Sequence, residues 1–183
     1  LKRVLLQVLE EFDHKHLNLD LPYFERQIPT SENVARVLWD KLQAQPDIGS
    51  LQRLSLYEDE DLCADLTAEA GLEVASVTRR YSFTAVHDGH RGHTWDLFVS
   101  VHGPIDRETG MVTDIVALDH LLKERVLVPF DGRDLRMVLA TPSVTGEYLA
   151  KAVWDRIASA IPAGTLQLVK LVQTRDLFYE YAG

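Results

Sequence analysis

The amino-acid sequence predicts an α+β fold made of two copies of one unit, in which an antiparallel sheet is backed by two helices. Three observations support this prediction: a long internal repeat, segments with the period of amphipathic helices, and segments that alternate as strands do. The 183 residues suffice for two small domains of under about 100 residues each. We place the copies at residues 1–72 and 73–183.

The repeat aligns residues 30–66 with residues 145–181 at a constant offset of 115 positions. The two segments are identical at 11 positions without a gap. Trp39 and Trp154, each followed by aspartate, lie at matching positions. The chain therefore contains two copies of one structural unit, and each copy should fold in a similar way.

The first copy reads as two helices followed by a strand. Apolar residues in the first 12 positions follow the i, i+3, i+4, i+7 spacing of an amphipathic helix. Thr30 or Ser31 can cap a second helix. Its apolar stripe contains Ala35, Leu38, Trp39 and Leu42. The segment LQRLSLYEDEDLCADL (51–66) then alternates as one strand.

The second copy has two additional strands before its helices. Residues 74–87 and 93–103 alternate as strands around a short polar turn, and residues 106–111 close the second strand. The first copy lacks this hairpin. Because a sheet without it would leave an unpaired strand edge in water, we expect residues upstream of Leu1 to supply the hairpin.

Composition excludes several classes of function. The formal net charge of −9 argues against a general nucleic-acid binder, since phosphate binding requires clustered Lys and Arg. No apolar run approaches the roughly 20 residues of a membrane span, and the N-terminal residues show no basic segment followed by an apolar run, so we do not expect secretion. Cys63, the single cysteine, fits a reducing cytoplasm, and we expect it to be a packed core residue.

Five short motifs stand out along the chain. They are DHKHLN (13–18), PTSEN (29–33), LYE (56–58), FTAVH with GHTW (83–95) and TGMVTD (109–114). In this order and spacing they resemble the 6-pyruvoyl-tetrahydropterin synthase family, including its 6-carboxytetrahydropterin synthase branch in deazapurine and queuosine biosynthesis. The resemblance implies the tunnelling fold (T-fold), which assembles into oligomeric β-barrels. Three tandem chains would supply the six T-folds of such a homo-oligomer.

The resemblance also implies a zinc-dependent lyase that acts on 7,8-dihydroneopterin triphosphate. The product would be a 6-pyruvoyl- or a 6-carboxy-tetrahydropterin, and the sequence leaves the choice open. In this family three histidines hold Zn²⁺, a thiolate and an Asp-His pair move protons, and a strand carboxylate anchors the pterin ring.

Asp13 and His14 match the family's proton-transfer pair. They follow the first predicted helix, whose C-terminal dipole favours a cation. The alternative is an ordinary polar helix terminus. Glu58 matches the pterin anchor and shares a strand face with Leu54 and Leu56, where a carboxylate is costly unless it meets a partner. An exposed glutamate at the strand end is the alternative.

His87, His93 and His90 are the candidate zinc ligands. The first two match family positions, whereas the middle ligand position reads Arg91, so His90 is the substitute. The loop that carries the family's catalytic cysteine is absent from this copy. The same histidines are also compatible with a solvated turn, or with a phosphate-binding patch that includes Arg91.

The second copy departs from the family elsewhere. Gly132 takes the place of His14, although Asp131 remains, and Gln173 takes the place of Glu58. We therefore expect the second copy to be mostly structural. The rival to the enzyme is a non-catalytic T-fold pseudoenzyme that binds a pterin or purine-like ligand or serves as a scaffold.

Overall fold

The computed structural model describes residues 2–87 and 92–183, and the chain divides into two compact units. Unit 1 comprises Leu1–Val77 and Gly103–Val112, and unit 2 comprises Thr78–His102 and Thr113–Gly183. Both contain helices and antiparallel strands, so the predicted α+β class is confirmed. The division of the sequence into copies at residues 72 and 73 stays a prediction.

The two helices predicted for the first copy are present in unit 1. The α-helices are α1 (Lys2–Leu9), α2 (Leu17–Asp20) and α3 (Ser31–Gln43), and a 3₁₀ turn covers Pro22–Phe24. Thr30 is the N-cap of α3, because its side chain accepts a hydrogen bond from the Asn33 N–H at 3.2 Å. The four residues of the predicted stripe are all buried.

The core of unit 1 forms where α3 packs on α1 and on the strands that follow. Val8 of α1 meets Leu38 and Leu42 of α3, and all three are buried. Leu54 and Leu56 pack against this cluster from the sheet side. The helical period of the sequence thus places its apolar stripes where the structure buries them.

The segment predicted as one strand is instead a hairpin of β1 (Arg53–Tyr57) and β2 (Leu62–Thr67), which pair antiparallel. The acidic run between them makes the turn. The Glu58 N–H donates to the Leu62 carbonyl at 3.0 Å, and the Asp59 carboxylate accepts from the Asp61 N–H at 2.7 Å. Short-range side-chain bonds of this kind stabilise turns rather than strands. Cys63 of β2 is buried, as expected.

The strands predicted for the second copy are present as β3 (Val74–Val86) and β4 (His93–Pro104). The remaining strands are β5 (Arg133–Asp134), β6 (Thr165–Thr174) and β7 (Leu177–Tyr181). Within unit 2 the order of neighbouring strands is β3-β4-β6-β7. β6 pairs antiparallel with both β4 and β7, and the short β5 pairs in parallel with the end of β3.

A long helical segment and a second helix cover the sheet of unit 2. The segment comprises α4 (Ile115–Leu122), a π-helical turn (Lys123–Leu127) and α5 (Val128–Phe130). It is followed by α6 (Leu135–Val138) and α7 (Gly146–Ile157), which ends in a 3₁₀ turn (Ala158–Ala160). α7 packs on β6 and β7. None of the helices described in either unit is long and apolar enough to cross a membrane.

The π-helical turn is explained by a proline. Pro129 has no N–H, so it cannot bond to the carbonyl of Arg125 four residues earlier. The Arg156 guanidinium of α7 donates to that carbonyl instead, at 3.1 Å, and lies 4.6 Å from the centre of the Phe130 ring. The side chain therefore satisfies a carbonyl that the helix leaves open.

Candidate active site

The N-terminal end of α3 is fixed to the loop at residues 106–112 of unit 1. The Thr30 hydroxyl donates to the Gly110 carbonyl at 2.6 Å, and the Glu32 carboxylate accepts from the Val112 N–H at 2.9 Å. Gly110 has a φ of 74°, and a Cβ there would overlap the Asn33 amide. Only glycine suits this position. The contacts of Thr30 and Glu32 make neighbours of the PTSEN and TGMVTD motifs, which are 80 residues apart in the sequence.

Glu32 is a buried carboxyl group, with 5% of its surface exposed. Burial raises its pKa, although hydrogen bonds from the Val112 N–H and from neighbouring groups of α3 oppose that effect. The negative charge of Glu58 raises the Glu32 pKa further. Glu32 of the PTSEN motif therefore joins α3 to the loop at residues 106–112. It does so close to Glu58, the candidate anchor of the pterin ring.

Glu58 lies one residue beyond β1, at the first position of the hairpin turn. Its side chain is exposed, so the burial cost expected on an apolar strand face does not apply. The Ser31 hydroxyl donates to one Glu58 carboxylate oxygen at 2.7 Å. Glu58 is therefore an accessible carboxylate whose orientation is set from the first turn of α3. From the sequence alone Ser31 is only a possible helix cap, because its contact with Glu58 joins residues 27 positions apart.

Asp13 and His14 lie in the turns that follow α1, four residues or more beyond its last residue, Leu9. The Asp13 N–H still bonds to the Leu9 carbonyl at 3.1 Å. The His14 Nε2 is 3.7 Å from an Asp13 carboxylate oxygen, and 95% of the His14 side chain is exposed. His14 has a φ of 53°, a left-handed conformation that is uncommon outside glycine.

The residues that the sequence predicts to correspond to Asp13, His14 and Glu58 make contacts within unit 2. An Asp131 carboxylate oxygen accepts from the Thr84 N–H at 2.8 Å, which ties the end of the helical segment to β3. Gly132 has a φ of 69° and donates its N–H to the Thr84 carbonyl. Gln173 accepts a hydrogen bond from the Tyr179 hydroxyl at 3.4 Å. That the second copy is mostly structural stays a prediction.

His87 and His93 come together in unit 2, where β3 ends and β4 begins. Their ring centres are 4.9 Å apart in an edge-to-face arrangement, and both rings lie against Trp95. The His93 Nε2 is buried and has no hydrogen-bond partner among the described residues. Burial lowers the pKa of His93, and the nearby His87 lowers it further. His93 is therefore held as a neutral imidazole at neutral pH.

This histidine pair fits two of the ligands of a metal ion. The His87 Nδ1 lies 3.3 Å from the Val144 carbonyl, which can only accept, so the proton of a neutral ring belongs on Nδ1. The lone pair is then on Nε2, the usual arrangement of a metal-ligating histidine. Within residues 2–87 and 92–183 no third His, Cys, Asp or Glu completes a metal-binding group. His90 and Arg91 lie outside the described residues.

Comparison with known proteins gives one consistent result. The family model for 6-pyruvoyl tetrahydropterin synthase matches residues 1–69 and 72–183. The 6-pyruvoyl tetrahydrobiopterin synthase of Pongo abelii is 32% identical over 134 residues, covering 60% of this chain and 92% of the relative. The Homo sapiens protein of the same name is 31% identical over 134 residues with the same coverage.

The solved structure of Caenorhabditis elegans 6-pyruvoyl tetrahydropterin synthase has the same fold. It superimposes with a TM-score of 0.56 at 23% identity and covers 60% of this chain and 96% of its own. The resemblance found in the five motifs is thus confirmed over both parts of the sequence. The chain belongs to the 6-pyruvoyl tetrahydropterin synthase family.

Proposed function

We propose that this protein is a tetrahydropterin synthase-like lyase that uses zinc and acts on 7,8-dihydroneopterin triphosphate. The product is a 6-pyruvoyl- or 6-carboxy-tetrahydropterin, and we propose the cytoplasm as the compartment. The observation that carries the proposal is the family match to both 1–69 and 72–183. The relatives named above are 6-pyruvoyl tetrahydrobiopterin synthases, and the candidate residues of this chain have the chemistry such a reaction needs.

In the proposed mechanism His14 accepts a proton from the substrate side chain. Its exposed imidazole is accessible, and an Asp13 carboxylate oxygen lies 3.7 Å from its Nε2. The backbone supports this role. His14 keeps a left-handed conformation that costs free energy, whereas glycine, which adopts it freely, occurs at the matching position 132. A histidine retained at such a position indicates a function for its side chain.

Glu58 is the proposed anchor of the pterin ring. A pterin presents adjacent N–H donors, and a carboxylate with two oxygens accepts both of them. The Ser31 hydroxyl bond holds the Glu58 carboxylate in one orientation at the end of β1. Glu58→Gln should weaken binding of the ring by roughly tenfold, since it replaces one acceptor oxygen by a donor.

His87 and His93 are the proposed metal ligands of unit 2, with His90 as the third. Bound zinc would polarise the oxygens of the substrate side chain and make the neighbouring proton easier to remove. The support from this chain is the orphaned, buried His93 Nε2 and the tautomer that the Val144 carbonyl imposes on His87. A structural zinc or catalytic zinc site needs at least three protein ligands.

Metal content tests this part of the proposal. Protein purified without chelator should contain about one zinc per chain, and His87→Ala with His93→Ala should remove it. His120→Ala, a change of an exposed histidine on α4 in the same unit, is the matched control and should leave the zinc in place. Zinc retained by the double variant would refute the ligand assignment.

The assembly is the remaining part of the proposal. We propose that residues 1–72 and 73–183 are two T-fold copies and that three chains associate to give six. Helices α3 and α7 support the repeat: each is capped by a threonine, Thr30 and Thr145, at the offset of 115 residues. Light scattering on the purified protein should give the mass of a trimer, and a stable monomer would contradict it.

A further inference from the structure

A pocket lined by three arginines lies in unit 1. Its volume is about 280 Å³. The lining residues come from four separate segments of the chain: Arg26, Gln27, Asn33, Arg36, Glu73, Asp106 and Arg107. Asp13, His14 and Glu58 are not among them, so this pocket is distinct from the groups assigned to the lyase reaction.

Both carboxylates of the pocket already have partners. Glu73 forms an ion pair with Arg36, whose guanidinium also donates to the Asn33 amide oxygen at 3.4 Å. The Asp106 carboxylate accepts hydrogen bonds from the Thr109 N–H at 2.8 Å, the Glu108 N–H at 3.0 Å and the Thr109 hydroxyl at 3.0 Å. These bonds lower the pKa of Asp106, and the bond from the Thr109 N–H has the largest effect. The Asp106 carboxylate is thus bonded to groups of its own turn.

Arg26 and Arg107 are different. In the part of the chain that the structure describes, neither guanidinium has an ion-pair or hydrogen-bond partner. With three arginines against two carboxylates, the pocket carries a net charge of +1. The whole chain carries −9, so acidic groups outnumber basic ones and an arginine has many possible partners. Two exposed arginines without partners that line one pocket are therefore available to bind a ligand.

The pocket is also held in shape by the protein. The loop that carries Arg107 is fastened to α3 through Thr30 and Glu32. On the opposite side the Gln27 amide donates to the Tyr23 carbonyl at 2.8 Å, which fixes the segment that carries Arg26. A site whose walls are fixed before binding loses less conformational entropy when the ligand enters.

We propose that this pocket binds an anion that carries a phosphate group, with Arg26 and Arg107 as its direct ligands. A guanidinium is a planar fork of N–H donors that matches two phosphate oxygens, and two such forks suit a group with three terminal oxygens better than a carboxylate with two. Arg36, which forms an ion pair with Glu73, also lines the pocket. The shared chemistry is the phosphoryl group, whether it comes from a free inorganic anion or from a phosphate ester.

Titration calorimetry on the full chain tests the proposal. The probes are inorganic phosphate, inorganic triphosphate and glycerol 3-phosphate. Saturable binding is expected, and it should weaken as KCl rises from about 50 to about 200 mM because the arginines are exposed. Preference for triphosphate identifies a free polyphosphate as the source, whereas preference for glycerol 3-phosphate identifies an ester.

The decisive variants remove two arginine charges, either inside the pocket or elsewhere on the surface. Arg26→Gln with Arg107→Gln should weaken binding by roughly tenfold or more, since it removes both charge-assisted contacts. Arg3→Gln with Arg175→Gln removes the same two charges from exposed positions elsewhere and should leave the affinity within about twofold. Arg26→Lys with Arg107→Lys keeps the charge, loses the forks and should give an intermediate loss.

Three results would overturn the proposal. They are the absence of saturable binding at millimolar probe, an equal loss in the two glutamine pairs, and full affinity in Arg26→Gln with Arg107→Gln. Circular dichroism melts of each variant establish that it is folded, and the lysine pair provides the test if the first pair does not fold. None of these measurements depends on lyase activity, so the failure of one proposal is distinguishable from that of the other.

Discussion

Glu32 provides the sharpest test of how unit 1 is held together. The residue is 5% exposed, and its carboxylate accepts a hydrogen bond from the Val112 N–H at 2.9 Å. Glu32→Ala leaves that buried donor without a partner, which costs about 1–3 kcal/mol. For a chain of this length each kcal/mol lowers the melting temperature by about 2–4 °C, so a decrease of roughly 2–12 °C is expected. An unchanged melting temperature would show that the Val112 contact contributes nothing.

The titration of Glu32 should also make the free energy of unfolding depend on pH. Burial raises its pKa, so near and above its ordinary pKa of 4.5 the folded protein binds a proton that the unfolded chain releases. The stabilisation from Glu32 is therefore complete below that value and is lost as the pH rises through the folded-state pKa. Glu32→Gln keeps an acceptor oxygen for the Val112 N–H but cannot titrate.

Urea unfolding of the wild type and Glu32→Gln at pH 4, 5.5 and 7 measures this effect. We expect the glutamine variant to become more stable relative to the wild type as the pH rises, because only the wild type has to bury a charge. Glu69→Gln, in an exposed turn of the same unit, is the matched control and should show no such trend. If Glu32→Gln loses stability relative to the wild type on going from pH 4 to pH 7, the reasoning is wrong, since the hydrogen bonds would then favour the anion over the acid.

Three further predictions concern single side chains. Gly110→Ala should cost about 1–3 kcal/mol in urea unfolding, because the residue has a φ of 74° and faces the Asn33 amide; wild-type stability would contradict the close approach. Burial, with the charge of Asp65, raises the pKa of the Cys63 thiol to about 11, so a disulfide reagent at pH 8 should label the native protein far more slowly than the urea-unfolded chain. Equal labelling rates for the native and the unfolded chain would contradict a buried Cys63 thiol with a raised pKa. Tyr81→Phe removes a 2.8 Å bond to Asp119 and should lower stability by about 1–2 kcal/mol, with circular dichroism melts as the measurement and no change as the contrary result.

The helices of this protein are readable from the sequence because their signals are local. The Thr30 cap and the stripe that includes Leu38 need only residues within one helix, and both predictions are confirmed. The β1–β2 hairpin is not readable from the sequence in the same way. The alternation of leucines continues in phase across the acidic turn, so period alone cannot separate one long strand from two short ones.

The candidate site was less predictable because its contacts are long-range. Ser31 and Glu58 are 27 residues apart, and Thr30 and Gly110 are 80 apart. No spacing rule joins such residues in a single sequence. The approach of His87 to His93 is foreseeable, since the two residues lie at the facing ends of β3 and β4, but their role as metal ligands stays a prediction. The orphaned His93 nitrogen becomes visible only in three dimensions.

The central claim is that this chain carries out the lyase reaction and that His14 moves the proton. The most direct measurement is turnover of 7,8-dihydroneopterin triphosphate by the zinc-supplemented full chain, followed through release of inorganic triphosphate and formation of a 6-substituted tetrahydropterin. His14→Asn is the test variant, because asparagine tolerates the left-handed backbone at φ 53°, and His16→Asn, an exposed neighbour, is the control.

We predict that the wild type and His16→Asn form the product and that His14→Asn is slower by a factor of about 100 or more, as expected for loss of a general base. Equal turnover by His14→Asn would contradict the assignment of the proton-transfer residue. Substrate that is bound but never consumed by the wild type would contradict the enzyme itself and identify the chain as a pterin-binding member of its family.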